Sequence, residues 1–185
     1  MFVTRSALAL SFTLALAAQD APSTKTMTQP RYVEGKELVQ PADYRTWVFV
    51  GASIGLSYSE SGSSTGPGRF HHVYIQPEAY RYFARTGRFP EGTILVMEVH
   101  EPEQKVSINR QGYFEGERRA LEVAVKDGET FEEGWAYFDF ANGAKKSARA
   151  FAKEMCFSCH RQHGADDNVF TQFYPVLRGL KKKAN

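Results

Sequence analysis

The sequence predicts an α+β fold, in which a single domain is built on an antiparallel β-sheet and ends in a helical segment. Apolar residues recur with the two-residue period of strands between residues 47 and 140. Short runs rich in Gly, Pro, Asn and Asp separate these segments, and the apolar period becomes helical from Ala144 onward. A length of 185 residues suits one domain with its own core.

The N-terminus carries the pattern of a secretory signal peptide over residues 1–17. One basic residue precedes the apolar run 6–16, and Ala15-Leu16-Ala17 offers a small-x-small cleavage site. The run is too short to span a bilayer, so no membrane span is expected after cleavage. Residues 18–31 are Pro/Ser/Thr/Gln-rich and predict a flexible leader, which leaves 32–185 as the folded domain. The protein is therefore expected in the periplasm or outside the cell.

The first half of the domain predicts two strands and a helix. Residues 41–44 indicate a short helical turn, and the bulky and β-branched run 47–54 indicates a buried strand. A loop rich in Ser and Gly follows at 57–69. The alternation in 70–76 predicts the second strand, with Phe70 at its start. Pro77 then opens a helix that is predicted to end at Thr86, before Gly87.

The second half predicts the remaining strands. In the strand 93–100, Leu95, Met97 and Val99 share one face. Two short strands are expected at 106–109 and 112–114. The strand 120–125 places Glu122 between small neighbours on its own face, and 134–140 is the last strand. The net charge of +2 gives no argument for nucleic acid as a partner.

Residues 144–159 predict an amphipathic helix that contains both cysteines of the chain. Its apolar stripe is matched by a basic opposite face, and the stripe consists of Ala148, Phe151, Ala152, Met155 and Cys159. The sequence therefore places the pattern Cys-x-x-Cys-His at the C-terminal end of a long helix.

Cys156-Phe157-Ser158-Cys159-His160 is the attachment pattern of c-type haem. Cys156 and Cys159 lie one helical turn apart, so both thiols can form thioethers with one edge of the porphyrin, and His160 can then ligate the iron. The chain has two cysteines, and both belong to this pattern. The alternative is a redox or metal-binding Cys-x-x-Cys followed by an unrelated histidine.

The sixth coordination position of the iron decides what such a haem can do. No methionine follows His160, and of the four in the chain Met97 is the one that could reach the iron from the opposite side. An open or weakly filled position is therefore predicted, which favours ligand binding or chemistry over electron transfer. Met97 on an apolar strand is also typical of a core residue. Glu122, if it faces inward, would have a raised pKa and could accept protons. Other candidate ligands, also typical of surface or hydrogen-bonded residues, are His71, His72, His100 and His163.

Five segments resemble the cytochrome P-460 and cytochrome c′-beta family in matching order: 44–51, 73–80, 86–93, 156–160 and 169–178. The resemblance implies a β-rich haem domain with one covalently attached haem c and a five-coordinate iron held by histidine. It also implies a homodimer.

The branches of that family differ in what stands over the haem. The P-460 branch oxidises hydroxylamine with a haem cross-linked to a lysine, and that lysine position is Met97 here. The carboxylate near the pocket in that branch matches Glu122. The c′-beta branch has an apolar pocket capped by phenylalanine, for which Phe70 is the candidate. The resemblance therefore predicts a c′-beta-like protein that binds small ligands such as nitric oxide.

Three alternatives stay open at this point. The protein could be an oxidoreductase of hydroxylamine or a related nitrogen compound, with Glu122 as proton acceptor. It could be an electron-transfer cytochrome with His160/Met97 ligation and a periplasmic redox partner. It could also have peroxidase-like activity, which would need a polar distal histidine such as His72.

Overall fold

Two antiparallel sheets form the framework of the computed structural model, which describes residues 26–56, 66–104, 107–108 and 110–181. The larger sheet has five strands in chain order. They are β3 (Val48–Ile54), β4 (Phe70–Ile75), β5 (Ile94–Glu103), β6 (Phe114–Lys126) and β7 (Trp135–Asp139). The smaller sheet joins β1 (Tyr32–Val33), β2 (Glu37–Val39) and β8 (Ser147–Ala148) in the order β1-β2-β8. The predicted α+β class is confirmed.

Short helices cover one face of the large sheet: α1 (Pro77–Thr86), α2 (Phe157–His163) and α3 (Pro175–Lys181). The predicted helix 77–86 is confirmed at both ends. Proline stands at its first position, and Gly87 ends it in the left-handed conformation, with φ of 67°. Ala79 and Phe83, four residues apart, point into the core against the sheet. Within the described ranges, no helix is long and apolar enough to cross a membrane.

The two faces of the large sheet have separate cores. On the helical face, Leu95 and Tyr137 pack with Phe83 of α1 and Leu177 of α3. On the other face, the small sheet buries apolar side chains of β5, β6 and β7, among them Val96, Leu121, Val123 and Phe138. Because side chains alternate along a strand, each residue of β5 is assigned to one core or the other by its position alone.

The predicted helix over 144–159 is wrong for most of its length. Ser147 and Ala148 form β8 and pair with β2, and the amide of Phe151 donates to the carbonyl of Tyr137 at 2.8 Å. Sheet pairing thus overrides the local helical pattern. Met155, expected in the apolar stripe, is 67% exposed. The haem motif therefore lies at the start of a short helix, not at the end of a long one.

The strands β5 and β6 lie where the sequence predicted strands, at 93–100 and 120–125, but both are longer than predicted. The single strand β6 runs from Phe114 to Lys126, so the segment expected at 112–114 contributes only its last residue to it. Residues 107–108 form a turn, and the other residues of the expected strand 106–109 lie outside the described ranges.

The predicted signal peptide, 1–17, lies outside the described residues, as do residues 18–25 of the expected leader. The rest of the leader contacts the domain. Met27 packs against the core of the helical face, and the side-chain amide of Gln76 donates to the carbonyl of Thr28 at 2.6 Å. Contacts with the domain thus begin before the expected boundary at residue 32.

Candidate haem-binding site

A cleft opens on the helical face of the large sheet, between β5, β6 and β7 and the segment that contains α2. It holds about 560 Å³ of space free of protein atoms, part of which is open to solvent. Its lining is mainly apolar. It includes His160, the predicted iron ligand, and also Met97 and Glu122. The lining residues are Val73, Leu95, Val96, Met97, Glu122, Val123, Ala124, Tyr137, Phe138, Phe151, Cys156, His160, Asn168, Val169, Phe170 and Tyr174.

The imidazole of His160 is held in one orientation. Its Nδ1 lies 2.8 Å from the carbonyl oxygen of Asn168, and its ring lies between those of Tyr137 and Phe170, at centroid distances of 4.3 and 4.4 Å. A carbonyl can only accept, so Nδ1 carries the proton and Nε2 keeps its lone pair. Burial lowers the pKa of His160 despite the bond to Asn168 and so favours the neutral ring. This is the state in which an imidazole ligates a metal.

The carbonyl that orients His160 belongs to a tight turn between Asp166 and Val169. The two central residues, Asp167 and Asn168, have φ of 48° and 62°, the positive values that a type I′ turn requires. Aspartate and asparagine tolerate this conformation better than other residues with side chains. Asp167 fixes the turn to the sheet by accepting from Lys126 at 2.6 Å. Sequence reasoning missed this turn, although Asp-Asn between two longer segments was its signal.

The two cysteines flank the first turn of α2. Cys156 is the residue before the helix and Cys159 its third residue; both are free thiols and partly buried. Burial raises the pKa of Cys156, and the nearby Glu122 and Cys159 raise it further. Two partly buried thiols beside an oriented imidazole fit the attachment of haem c. Cys156 and His160 line the same cleft.

Met97 and Glu122 lie directly opposite each other on neighbouring strands. They are paired in the register of β5 and β6, and Glu122 is in turn paired with Asp139 on β7. Paired residues point to the same face, so these three side chains form a row across the sheet. Burial raises the pKa of Glu122, and the negative charge of Asp139 adds to this effect. Both Met97 and Glu122 line the cleft, on the side formed by the sheet.

Phe70 lies on the opposite face of the sheet from Met97. It pairs with His100, and His72 pairs with Glu98, whereas Met97 pairs with Val73. Because neighbours along a strand alternate, Phe70, His72 and His100 point away from the cleft. None of them lines it. The structure therefore does not place Phe70 where it could cap a haem in the cleft. The peroxidase alternative needs a distal histidine such as His72, and His72 does not line the cleft either.

The two remaining histidines are also absent from the cleft lining. His71 shares the face of Val73 but lies beyond the cleft, and His163 is exposed on α2.

The family model for cytochrome P460 matches residues 41–171, which is well over half of the chain. The chain belongs to the cytochrome P460 family. It is accordingly a c-type haem cytochrome, with one covalently attached haem c and its iron as cofactor. No curated protein matches the chain. In this cytochrome Cys156 and Cys159 remain the predicted attachment residues, and His160, the predicted iron ligand, lines the cleft together with Cys156.

Several residues of the site escaped sequence reasoning because pairing and long-range packing place them there. Asp139 was treated only as part of the last strand of this cytochrome, yet its register puts it beside Glu122. Phe170 and Tyr137 contact the ring of His160 from segments on either side of it in sequence. The alternation of β7 could have assigned Tyr137 to the same face as Asp139.

The raised pKa of Glu122 predicts a pH-dependent cost to stability. The folded cytochrome holds the Glu122 proton more tightly than the unfolded chain, so stability falls as pH rises from the ordinary carboxyl range toward the raised pKa. Glu122→Gln is therefore expected to increase the free energy of unfolding at pH 7 and to lose this advantage at pH 4. Urea unfolding at both pH values measures the difference.

Glu117→Gln is the matched control, because Glu117 lies on the same strand with its side chain 66% exposed. It should change the unfolding free energy by less than about 0.5 kcal/mol at both pH values. If the free energy of unfolding of Glu122→Gln at pH 7 is equal to or lower than that of the wild type, burial does not disfavour the charged form of Glu122, and the assignment is wrong.

Proposed function

We propose that this cytochrome binds nitric oxide at a five-coordinate haem iron, as a c′-beta-like protein. The observation that carries the proposal is the residue at the sheet side of the cleft: Met97, flanked by Val73 and Leu95. No lysine is present among the described residues that line the cleft. A link from a lysine to the haem, the mark of the P-460 branch, thus has no donor at this position.

The haem iron supplies a coordination site for a diatomic ligand, and the chain determines which ligand is favoured. His160 provides the neutral imidazole on one side. The side chains of Val73, Leu95 and Met97 have no N–H or O–H group, so they offer no hydrogen bond to a bound dioxygen. Nitric oxide binds ferrous haem without such help. These apolar side chains also exclude water from their own side of the cleft, and Glu122 is the polar group across from Met97.

Titration of the ferrous protein with nitric oxide tests the proposal, with Met97→Leu as the matched variant. Leucine keeps the volume and apolarity of methionine but cannot ligate iron. If Met97 is only a wall of the cleft, both proteins bind nitric oxide with rate constants within about threefold of each other. A ferrous spectrum that stays unchanged in excess nitric oxide overturns the proposal.

The same titration separates the electron-transfer alternative. If Met97 occupied the sixth position, nitric oxide would have to displace it, and Met97→Leu would bind much faster than the wild type. Rates increased by a factor of ten or more, on the order expected when an internal ligand is removed, would therefore favour His160/Met97 ligation.

Oxidation of hydroxylamine is the second candidate function, and Glu122 is the observation that favours it. Its carboxyl group lines the cleft directly across from Met97, and its raised pKa makes its carboxylate a stronger base than that of an ordinary glutamate. The test is hydroxylamine-dependent reduction of an artificial electron acceptor by wild type and Glu122→Gln. Turnover that falls at least about a hundredfold in the variant would favour this function. Mass spectrometry that finds a third, non-cysteine link to the haem would do the same.

Export, a periplasmic location and a homodimer belong to the same proposal. They rest on the signal-peptide pattern of residues 1–17 and on the family. Haem c is attached outside the bacterial cytoplasm, which agrees with export. A periplasmic redox partner would keep the iron ferrous for nitric oxide binding. N-terminal sequencing of the mature protein, which should begin at residue 18, tests the cleavage.

A further inference from the structure

A second cluster of potential metal ligands lies on the face of the sheet that points away from the haem cleft. It consists of His72 on β4, His100 on β5 and Glu115 on β6. One ligand atom from each residue lies within 4.8 Å of those of the other two. Three neighbouring strands thus bring together side chains that are far apart in sequence. We propose that these residues bind a divalent transition-metal ion, with zinc as the best match.

The ring of His100 is oriented with one nitrogen atom available to ligate a metal. Its Nδ1 lies 3.0 Å from the carbonyl oxygen of Gly116, so Nδ1 carries the proton and Nε2 keeps its lone pair. The Nε2 atom is buried and has no hydrogen-bond partner among the described residues. The side chain of His100 is only 10% exposed. A buried acceptor without a partner costs stability, and a bound cation would satisfy it.

The other two residues can complete the coordination. The Nε2 atom of His72, on a side chain that is also 10% exposed, lies 3.3 Å from a carboxylate oxygen of Glu115. Donor atoms of a tetrahedral zinc site are about 3.4 Å apart, so this pair already has the required spacing. Glu115 is half-exposed and can move to close the remaining distance. Its exposure also leaves a path for the ion and a water as fourth ligand.

One carboxylate and two guanidinium groups lie behind His100. Glu98 lies on the same side, with one carboxylate oxygen 3.8 Å from Nε2 of His100. Its other oxygen accepts from Tyr44, Arg45 and Arg118, at distances from 2.5 to 3.0 Å. Glu98 is thus held in place by these three partners, and Arg45 and Arg118 offset its charge, so the case for a cation rests on His72, His100 and Glu115. Two imidazoles and one carboxylate suit zinc better than calcium or magnesium, which prefer oxygen ligands.

Equilibrium dialysis of the holoprotein against micromolar zinc chloride, followed by elemental analysis, tests the site. The haem iron provides an internal count of protein chains. The wild type should retain about one zinc per iron after chelator-free washing. His72→Gln and His100→Gln should lose it, and Glu115→Gln should bind at least about tenfold more weakly. His163→Gln is the control, since His163 is exposed on the opposite side, and it should bind as the wild type does.

Either of two results would show that His72, His100 and Glu115 do not form a zinc site. The first is a wild type that retains no zinc under these conditions, and the second is a folded His100→Gln variant that still binds one. Glu115→Gln decides the question if the histidine variants fail to fold, because Glu115 is half-exposed and its replacement does not disturb the core. Unchanged zinc affinity in Glu115→Gln would then overturn the three-residue site. The haem absorption spectrum should not change on zinc addition, since the two sites lie on opposite faces of the sheet.

Discussion

Replacing His160 by alanine is expected to remove the imidazole–iron bond while the haem stays attached through Cys156 and Cys159. The Nε2 lone pair of His160 is the group that would ligate the iron, because Nδ1 donates to the carbonyl of Asn168. Resonance Raman spectra of the ferrous protein should lose the iron–histidine stretching band. Mass spectrometry should find the haem still bound to the peptide. Added imidazole should restore the band by entering the vacated space.

His163→Ala is the matched control for this experiment. His163 lies on the same helix, less than one turn further, but it is exposed and does not line the cleft. Its replacement should leave the stretching band in place. A band that persists in His160→Ala without added imidazole, or that disappears in His163→Ala, contradicts the assignment of His160 as the iron ligand.

Glu98→Leu is expected to destabilise the fold by roughly 3 kcal/mol, measured by urea unfolding in the presence of a chelator. Glu98 is 3% exposed and binds the guanidinium groups of Arg45 and Arg118. Burial alone would raise the pKa of Glu98, but hydrogen bonds from Tyr44, Arg45 and Arg118 outweigh it and lower the pKa. Without the carboxylate, the partly buried Arg118 has no counter-ion. Arg45 is mostly exposed and can turn to water, which limits the loss.

Glu101→Leu provides the comparison on the same strand. Glu101 also binds two arginines, Arg69 and Arg119, but these side chains are at least half exposed. Exposed ion pairs contribute little, so the expected loss is below about 1 kcal/mol. If the two variants lose the same stability, burial does not decide the contribution of Glu98, and the explanation given for it is wrong.

Local sequence patterns predicted most of the fold that surrounds the site. The strand alternation that put Leu95 and Met97 on one face is confirmed by the core of the helical face, in which both residues pack. The sequence left open whether Glu122 faces inward, and the structure places it in the lining of the cleft. The helix 77–86 was predicted to the residue because proline and glycine act at its ends through local backbone geometry. The haem motif itself needs no tertiary information.

What the sequence could not predict depends on partners distant in the chain. Residues 147–148 are extended because β2, more than a hundred residues earlier, pairs with them. Phe70 was considered for the haem cap on position in the chain, whereas the register with His100 puts it on the other face. The turn at Asn168 that orients His160, and the meeting of His72, His100 and Glu115, likewise require knowledge of which strands are neighbours.

The central claim is that the iron, held by His160 on one side, faces an open position beside Met97 and Glu122. The absorption spectrum of the ligand-free ferrous protein tests this most directly, because spin state reports the coordination number of the iron. A high-spin, five-coordinate spectrum is the predicted result. A low-spin, six-coordinate spectrum with sharp, separated visible bands would contradict the claim, since it would require an internal ligand such as Met97 at the open position.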